Sequence, residues 1–517
     1  MTISLRPDGH TAIQPLRQDD LASALSAEPI LSAVAGYGGR FIDADESIEV
    51  DGRALFAVAE RLSARLTRQG LSHGDRVLMA VGNGPRFVAA LAGLVGAGAS
   101  PILVHHQTPA EELARTAARY GAAHVLSDDA TPEQWRSAEI TGADVEMDAP
   151  WARFVWGGFG ASDARQPDLF PALPGVPLHP TSGTTGLSKL ALRPGASAIA
   201  EAAHYAETIG VHQRDVILAL TPMSHAYAFG MCVMLPLITN ATVVSLRRFA
   251  AGAAAKSIAE HGVTILPAVP AMLDVLLFGA AARALAAPRI VLSAGAPLSR
   301  RTVVRFEAAT GRLPCPLYGT TETGGITVAT AGVTSDEAGC VGPPMRGVEA
   351  RVHATDGQSA DVLLADGAEG VVGRVEIRSS SMMHGYLGAG GIERSLASDG
   401  WFRTGDLGRI GSDGRIHLVG RETDVINVAG MKVVPSEIED VIGQMPDVIE
   451  CKVYAGQHSS GSQFVKAAIV AESTADLAKI RAHCEKHLVY YKRPQRLFLL
   501  DALPRSAAGK ILRDDLP

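Results

Sequence analysis

Short apolar runs alternate with helix-spaced segments over residues 52–310, and this alternation limits the chain to a fold built on parallel sheets. RVLMAV (76–81), PILV (101–104) and AHVLSD (123–128) read as strands. Residues 52–70 and 85–98 carry Ala, Leu and Val at helical spacing, and HHQTPAEELARTAARYG reads as a capped helix. The pattern returns with strands at 216–221, 242–247, 263–266 and 289–295 and with helices after Pro270 and at 299–310. A strand that feeds a helix and then a second strand implies parallel pairing with right-handed crossovers.

The texture changes after about residue 340. VEARVHA, GRVEIRS and GRIHLVG are short alternating strands between Gly and Asp turns, and they predict a β subdomain over 348–420. VPSEIEDVIGQM (434–445) predicts a helix with Ser436 as its N-cap. The expected fold is α/β. A large N-terminal domain (1–420) of mixed and parallel sheets with helices precedes a small, mobile α+β C-terminal domain (421–517), with the boundary at Gly420–Arg421. The Ala-rich runs at 249–255 and 280–287 read as helix surface and loop.

Composition removes several classes of function. The chain has 517 residues, 47% hydrophobic and 20% charged, with a net charge of −7 and no long basic run, which argues against nucleic acid as a partner. Its five cysteines form no C-x-x-C pair, so neither a disulfide scaffold nor a structural zinc site is expected. The first ten residues hold no apolar signal core. The longest apolar stretch, 89–104, contains three glycines and a proline and is short for a bilayer span. The expected compartment is the cytoplasm. Arg247 and Arg248 read as a surface pair.

The chemistry concentrates in TSGTTGLSK (181–189), which packs five hydroxyls, two glycines and a lysine into nine positions. Glycines let backbone N–H groups turn toward an anion, the hydroxyls of Thr181, Ser182, Thr184 and Thr185 add donors, and Lys189 adds a mobile positive charge. The composition suits a polyphosphate; a solvated Gly/Thr turn is the plain alternative. Gly183 and Gly186 stand too close for a Walker loop, and Leu190 follows the lysine where Ser or Thr is required.

Other segments carry isolated polar residues. In YGTTETGG (318–325), Glu322 is one carboxylate among threonines, a set that suits Mg²⁺ or else an exposed turn. In WFRTGDLG (401–408), Asp406 can accept two hydroxyl hydrogen bonds or close an Asx turn. Arg421 stands at the boundary, and LPRSAAGKILR (503–513) is a near-terminal loop holding Lys510.

Taken in order, TSGTTGLSK, YGTTE, RTGD, the GR…D…G…P-x-E-I-E run and PR-x-x-x-GK-I resemble the adenylate-forming superfamily of acyl- and aryl-CoA synthetases, peptide-synthetase adenylation domains and luciferases. The resemblance covers about residues 50–515. It implies ATP-dependent activation of a carboxylate as an acyl-adenylate, with Mg²⁺ as cofactor, pyrophosphate as product and a thiol as the usual acceptor. By motif, Thr181, Ser182, Gly183, Thr184, Thr185, Gly186 and Lys189 would hold the β- and γ-phosphates. Thr321 would contact the α-phosphate, and Glu322 would ligate the metal. Tyr318 and Gly319 with Ala294, Gly295 and Ala296 would enclose adenine. Asp406 and Arg421 would hold the ribose, and Lys510 would bridge the reacting carboxylate and α-phosphate. The C-terminal domain would rotate between half-reactions, presenting Lys510 on one face and a thiol tunnel around Val428–Lys432 on the other. The hinge position, usually Asp or Lys in this family, is Thr423 here, followed by Asp424.

PMSHAYAFG (222–230) resembles the family segment bordering the acyl pocket, with His225 at its mouth. Tyr227, Phe229, Gly230, Val269, Met272, Ser293 and Gly324 are the expected lining. Amino-acid-activating members carry an Asp here; this chain has Ala228–Phe229–Gly230, so a substrate ammonium would lack a partner. LALRPG after Lys189 is closer to aryl-acid members than to fatty-acyl ones. The expected reaction joins an aromatic or short apolar acid to CoA. Alternatives are transfer to the phosphopantetheine of a carrier protein, activation of nitrite for diazotisation of an aryl amine, and a nucleotide binder without catalysis.

Overall fold

The computed structural model describes residues 26–145, 147–159, 173–181, 189–354, 361–363, 372–388, 391–393, 396, 399–428, 431–458, 463–472, 476–505 and 511–517. A large N-terminal domain of mixed α/β architecture precedes a smaller C-terminal one. The large domain holds two broad sheets. In the eight-stranded sheet the order is Gly324–Val328, Cys315–Thr320, Ile290–Ser293, Ile265–Ala268, Val216–Ala219, Thr242–Ser245, Arg40–Asp43 and Ile48–Asp51. Its central pairings are parallel, as the strand–helix alternation requires. A nine-stranded sheet centres on Arg76–Ala80, flanked in parallel by Ser100–Leu103 and His124–Ser127.

Helix patterning explains the packing between these strands. Asp51 caps Gly52–Arg68 by accepting from the Ala54 N–H at 2.8 Å, and Leu55, Val58, Leu62 and Leu66 fall on its buried face. The next helix, Pro85–Gly96, is buried from Pro85 through Val95, so the longest apolar run of the sequence, 89–104, is interior helix followed by the buried strand Ser100–Leu103. Gly93 permits the contact between the two: a Cβ there would lie 3.1 Å from the Ala59 carbonyl oxygen and from Leu62 Cδ2.

Beyond residue 340 the strands Cys340–Gly342, Ile416–Arg421, Phe402–Ile410, Gly373–Ser379, Val348–Ala354 and Asp361–Leu363 form one antiparallel sheet in that order. The hairpin Gly385–Gly388/Gly391–Glu393 leaves this sheet and joins the nine-stranded one beside Lys189–Leu192. The C-terminal region packs Pro435–Gly443 and Leu477–His487 around a three-stranded sheet, with Ile438, Ile442, Val465 and Ile480 in its core.

Three local expectations are corrected. Pro435 opens its helix at the first turn, so Val434 takes the N-cap position. The Ser436 hydroxyl instead donates to the Val419 carbonyl, tying the helix to the preceding strand. The helix Ala110–Tyr120 is capped at its C-terminal end by Gly121 in the left-handed region (φ +62°), but at its start, Pro109, no side chain caps it, since the Thr108 hydroxyl donates to the His105 carbonyl. Arg247 is no surface residue: it is 16% exposed and pairs at 2.7 Å with Asp128, which is fully buried.

The loops after three strands of the two broad sheets meet at Asn83. Its amide donates to the carbonyls of Thr221 (3.0 Å) and Leu246 (3.1 Å) and accepts from the Met223 N–H at 2.7 Å. Asn83→Ala leaves those backbone groups unpaired in the interior. It is expected to destabilise the protein by about 2–4 kcal/mol, read as a lowered urea midpoint.

Candidate active site

The strands Leu178–Thr181 and Lys189–Leu192 are antiparallel neighbours with Thr181 opposite Lys189. The Thr181 hydroxyl, on a buried residue, donates to the Lys189 carbonyl at 3.2 Å. The hydroxyl-rich loop is thus the connection of this hairpin; Ser182, Gly183, Thr184, Thr185 and Gly186 lie outside the described residues. The half-exposed Lys189 Nζ sits 3.3 Å from Glu393 Oε2 and 5.1 Å from the centroid of the Tyr386 ring.

Thr321, Glu322 and Thr323 form the turn of the hairpin Cys315–Thr320/Gly324–Val328. Thr320 and Thr323 satisfy each other: their hydroxyls lie 3.1 Å apart, and the Thr323 N–H donates to Thr320 Oγ1. That internal pairing leaves Thr321 and Glu322 at the tip. Glu322 Oε1 accepts from the Tyr386 hydroxyl at 2.6 Å, and the Glu322 carbonyl accepts from the Met383 N–H at 2.6 Å. Burial, with the Glu322 charge, pushes the Tyr386 phenol far above its ordinary range, so it acts as a donor. Among the described residues Glu322 Oε2 accepts from no side chain. A single hard carboxylate with one free oxygen fits Mg²⁺, which binds through one or two carboxylates and completes its shell with phosphate and water.

Tyr318, Asp406 and Arg421 come together from three strands. The Tyr318 hydroxyl donates to Asp406 Oδ2 at 2.6 Å, and Arg421 Nε donates to Asp406 Oδ1 at 3.1 Å. Asp406 stands directly opposite Arg421 in the Phe402–Ile410/Ile416–Arg421 pairing. Burial raises the Asp406 carboxyl, against the pull of Arg421. Each carboxylate oxygen keeps a lone pair, enough for two further hydroxyl donors. Beside this group, residues 294–296 run on from Ile290–Ser293, the parallel neighbour of the Tyr318 strand. Ala294 is held by its N–H to the Ala268 carbonyl (3.1 Å), whereas Gly295 (φ +84°), Ala296 and Gly319 are exposed.

The expected acyl-pocket residues divide. His225 is exposed and opens a short helix; surrounding protein and the neighbouring His105 hold its imidazole below the usual range. Tyr227, Val269 and Met272 are partly buried, and Ser293 is buried with no partner for its hydroxyl among the described residues. Phe229 is fully interior and meets the His179 ring edge-on, with centroids 4.9 Å apart. Gly230 and Gly324 both back onto a buried ion pair that the sequence reading missed, Arg193–Glu201 at 2.7 Å, with side chains 0% and 1% exposed. A Cβ on either glycine would lie within 2.8 Å of the Glu201 carboxyl carbon. The Gly325 N–H donates to Glu201 Oε1 at 3.0 Å, and Arg193 Nη2 reaches the Ser381 carbonyl at 3.3 Å. An acidic group therefore does stand behind the pocket segment, but Arg193 neutralises it. The available signal was Glu201 between Ala198 and Ala202, a charge on the buried face of Gly195–Ile209.

Lys510 lies outside the described residues; its loop is anchored by an Arg505–Ile511 bridge and by the Leu512 N–H to the Pro504 carbonyl at 2.8 Å. Around the expected hinge, Glu422 pairs with Arg374 at 2.6 Å and Asp424 pairs with Arg513. Exposed Thr423 stands between the two. Val428 is partly buried, and the Lys432 side chain is outside the description. Among the described residues no cluster of His, Cys, Asp and Glu is disposed to hold a metal by itself, and no helix is long and apolar enough to cross a membrane. A hollow of about 640 Å³ among Glu46, Arg86, Asp128 and Arg153 shares no residue with this site.

His106, next to His105, is nearly buried, and burial together with His105 lowers its pKa to about 4. A depressed histidine stabilises the fold above its ordinary value of 6.5, and that contribution is lost as pH falls toward 4. Melting is therefore expected to weaken across this window with a slope approaching about 1.4 kcal/mol per pH unit from this residue. His106→Asn is expected to flatten the slope in thermal unfolding at pH 7, 6 and 5.

The profile of the AMP-binding enzyme family matches residues 33–387, and that of the AMP-binding enzyme C-terminal domain matches residues 437–510. A sulfoacetate–CoA ligase of Cupriavidus necator is 31% identical over 484 residues, spanning 89% of this chain and 90% of the relative. A 4-coumarate–CoA ligase of Oryza sativa subsp. japonica is 27% identical over 491 residues, spanning 89% and 85%. In fold, the ATP-bound MatB of Rhodopseudomonas palustris superposes with a TM-score of 0.78 at 24% identity over 95% of this chain and 98% of that one. The amide bond synthetase McbA of Marinactinospora thermotolerans does so with 0.77 at 23%, over 95% and 98%. The chain belongs to the AMP-binding enzyme family, the adenylate-forming superfamily, and at the family level is an AMP-forming ligase of the acyl-CoA type.

Proposed function

We propose that this enzyme activates an aromatic or short apolar carboxylic acid with ATP and transfers it to CoA. The observation that carries the reading is one connected group of side chains. Lys189 lies over Tyr386, Tyr386 holds Glu322, the Glu322 hairpin carries Tyr318, and Tyr318 donates to Asp406, which Arg421 also holds. These are the residues that a bound nucleotide needs at its phosphates, metal, base and ribose. The 182–188 loop and Lys189 would bind the β- and γ-phosphates, Thr321 the α-phosphate, and Asp406 with Arg421 the ribose hydroxyls. Tyr318 and residues 294–296 would bound the adenine. Magnesium, held through Glu322, would neutralise phosphate charge when bound.

The chemical obstacle is repulsion between two anions, so catalysis rests on positioning and on fixed positive charge. Lys510 would supply that charge at the reacting oxygens, brought in as the C-terminal domain swings about Thr423. The Glu422–Arg374 and Asp424–Arg513 pairs support a pivot at Thr423, since they tie its neighbours to the large domain on one side and to the C-terminal tail on the other. The neutralised state of Glu201 supports a substrate without an ammonium group. Relatives named as CoA ligases support CoA as acceptor.

A panel of acids, and nitrite, is tested by substrate-dependent pyrophosphate exchange with hydroxylamine trapping; an aromatic or short apolar acid is expected to give the largest signal. Products formed with CoA, a carrier protein, or nitrite plus an aryl amine are then separated by mass spectrometry, and the CoA thioester is expected. Lys510→Ala is expected to slow adenylation by roughly two to four orders of magnitude while ATP binding persists. Unchanged adenylate formation in that variant removes Lys510 from this role.

A further inference from the structure

Lys189 and Glu322 come from different sheets, and one side chain touches both. Tyr386 lies on Gly385–Gly388, opposite Ala191 on one side and Glu393 on the other. Its hydroxyl donates to Glu322 Oε1 at 2.6 Å, and the Lys189 ammonium stands 5.1 Å from its ring centroid. A donor on one carboxylate oxygen stops the group from rotating and leaves Oε2 free. A ring face holds an ammonium without using any of its three N–H donors. Glu393, 3.3 Å from the same ammonium, completes the arrangement at the far side.

We propose that Tyr386 is a positioning residue for the nucleotide and its metal: it fixes the Glu322 carboxylate for Mg²⁺ and keeps the Lys189 ammonium beside it, so that both charges meet the polyphosphate in one orientation. The proposal rests on Glu322 as the metal ligand and Lys189 as a phosphate ligand. It goes further in assigning their alignment to a phenol that contacts Glu322 and Lys189 rather than being taken as a ligand itself.

The test uses the full-length enzyme without any acid, so that binding is read apart from turnover. Mn²⁺ affinity in the presence of ATP is measured by electron paramagnetic resonance, and ATP affinity in EDTA by calorimetry. Tyr386→Phe is expected to weaken Mn²⁺ binding roughly three- to tenfold, the scale of one lost hydrogen bond to a charged group, with metal-free ATP affinity unchanged. Tyr386→Leu also removes the ring and is expected to weaken metal-free ATP binding about threefold. Replacing Tyr386 by 4-aminophenylalanine, which restores a donor on the ring, is expected to recover most of the Mn²⁺ affinity. A merely structural role would not produce that recovery.

Glu322→Gln separates the two levels of the argument. The double variant with Tyr386→Phe is expected to bind Mn²⁺ no more weakly than Glu322→Gln alone. Wild-type Mn²⁺ affinity in Tyr386→Phe, with a loss in Glu322→Gln, overturns the Tyr386 proposal and leaves the metal role of Glu322 standing. Additive losses in the double variant overturn it as well. Wild-type affinity in Glu322→Gln removes the metal ligand itself, and the Tyr386 proposal with it.

Discussion

The geometry of the site depends on a buried ion pair that takes no part in the chemistry. Arg193 continues from Lys189–Leu192 in the nine-stranded sheet, and Glu201 lies one helix later on Gly195–Ile209. Glu201 accepts from the Gly325 N–H in the eight-stranded sheet, and Arg193 reaches the Ser381 carbonyl. One charged pair thus ties the lysine strand, the Glu322 hairpin and the chain leading to Tyr386. Two unpaired charges at 0% and 1% exposure would be very costly, so each fixes the other's position. The glycines at 230 and 324 follow from the same fact: a Cβ at either place would overlap the Glu201 carboxyl group. Such a pair contributes little net stability against a hydrophobic substitute. Its effect is to hold the relative position of two sheets whose loops carry different parts of the site.

Much of the large domain was legible because parallel strands buried on both faces read as apolar runs. Arg76–Ala80, His124–Ser127, Val216–Ala219 and Ile290–Ser293 each fall within the segments that the sequence marks, and Ser100–Leu103 starts one residue ahead of its segment. The helix ends were less legible. Ser436 looked like a cap by composition, but Pro435 had already fixed the first turn and the hydroxyl found a tertiary acceptor in Val419. Arg247 beside Arg248 looked like a solvated pair because local sequence carries no trace of Asp128, more than a hundred residues earlier.

The candidate site was read from the sequence motif by motif, and what the sequence withheld was the contacts between motifs. Glu322 among threonines reads as a turn residue at least as readily as a metal ligand, and in three dimensions it does lie in the turn of its hairpin. What the sequence could not show is that Thr320 and Thr323 bond to each other and Tyr386 takes one carboxylate oxygen. Tyr386 lies in HGYLGAGG, a segment with no charge to mark it as functional. Its role arises because its strand pairs with the lysine strand at one edge of a sheet while its hydroxyl reaches the hairpin of the other. Asp406 and Arg421 stand 15 residues apart, yet antiparallel register places them opposite each other.

The proposed hinge segment carries a residue outside the family habit. Asp or Lys at a pivot offers a charge that can change partners as a domain turns. Thr423 offers none, and among the described residues its hydroxyl finds only Asp424 at 3.3 Å. The charges stand instead at its two neighbours. Glu422 is committed to Arg374 on the large-domain strand Gly373–Ser379, and Asp424 to Arg513 in the tail that follows Lys510. Rotation about a residue clamped on both sides concentrates the backbone change at that residue, because either neighbour must give up an ion pair to share it. Both pairs are partly exposed, so each is worth only about 1 kcal/mol and breaks readily. If Thr423 is the pivot, as proposed, two weak clamps on either side of a neutral residue would not need strong electrostatics to select a domain orientation. That selection would then fall to whatever fills the cleft: the polyphosphate before the acid is activated, and the acceptor afterwards.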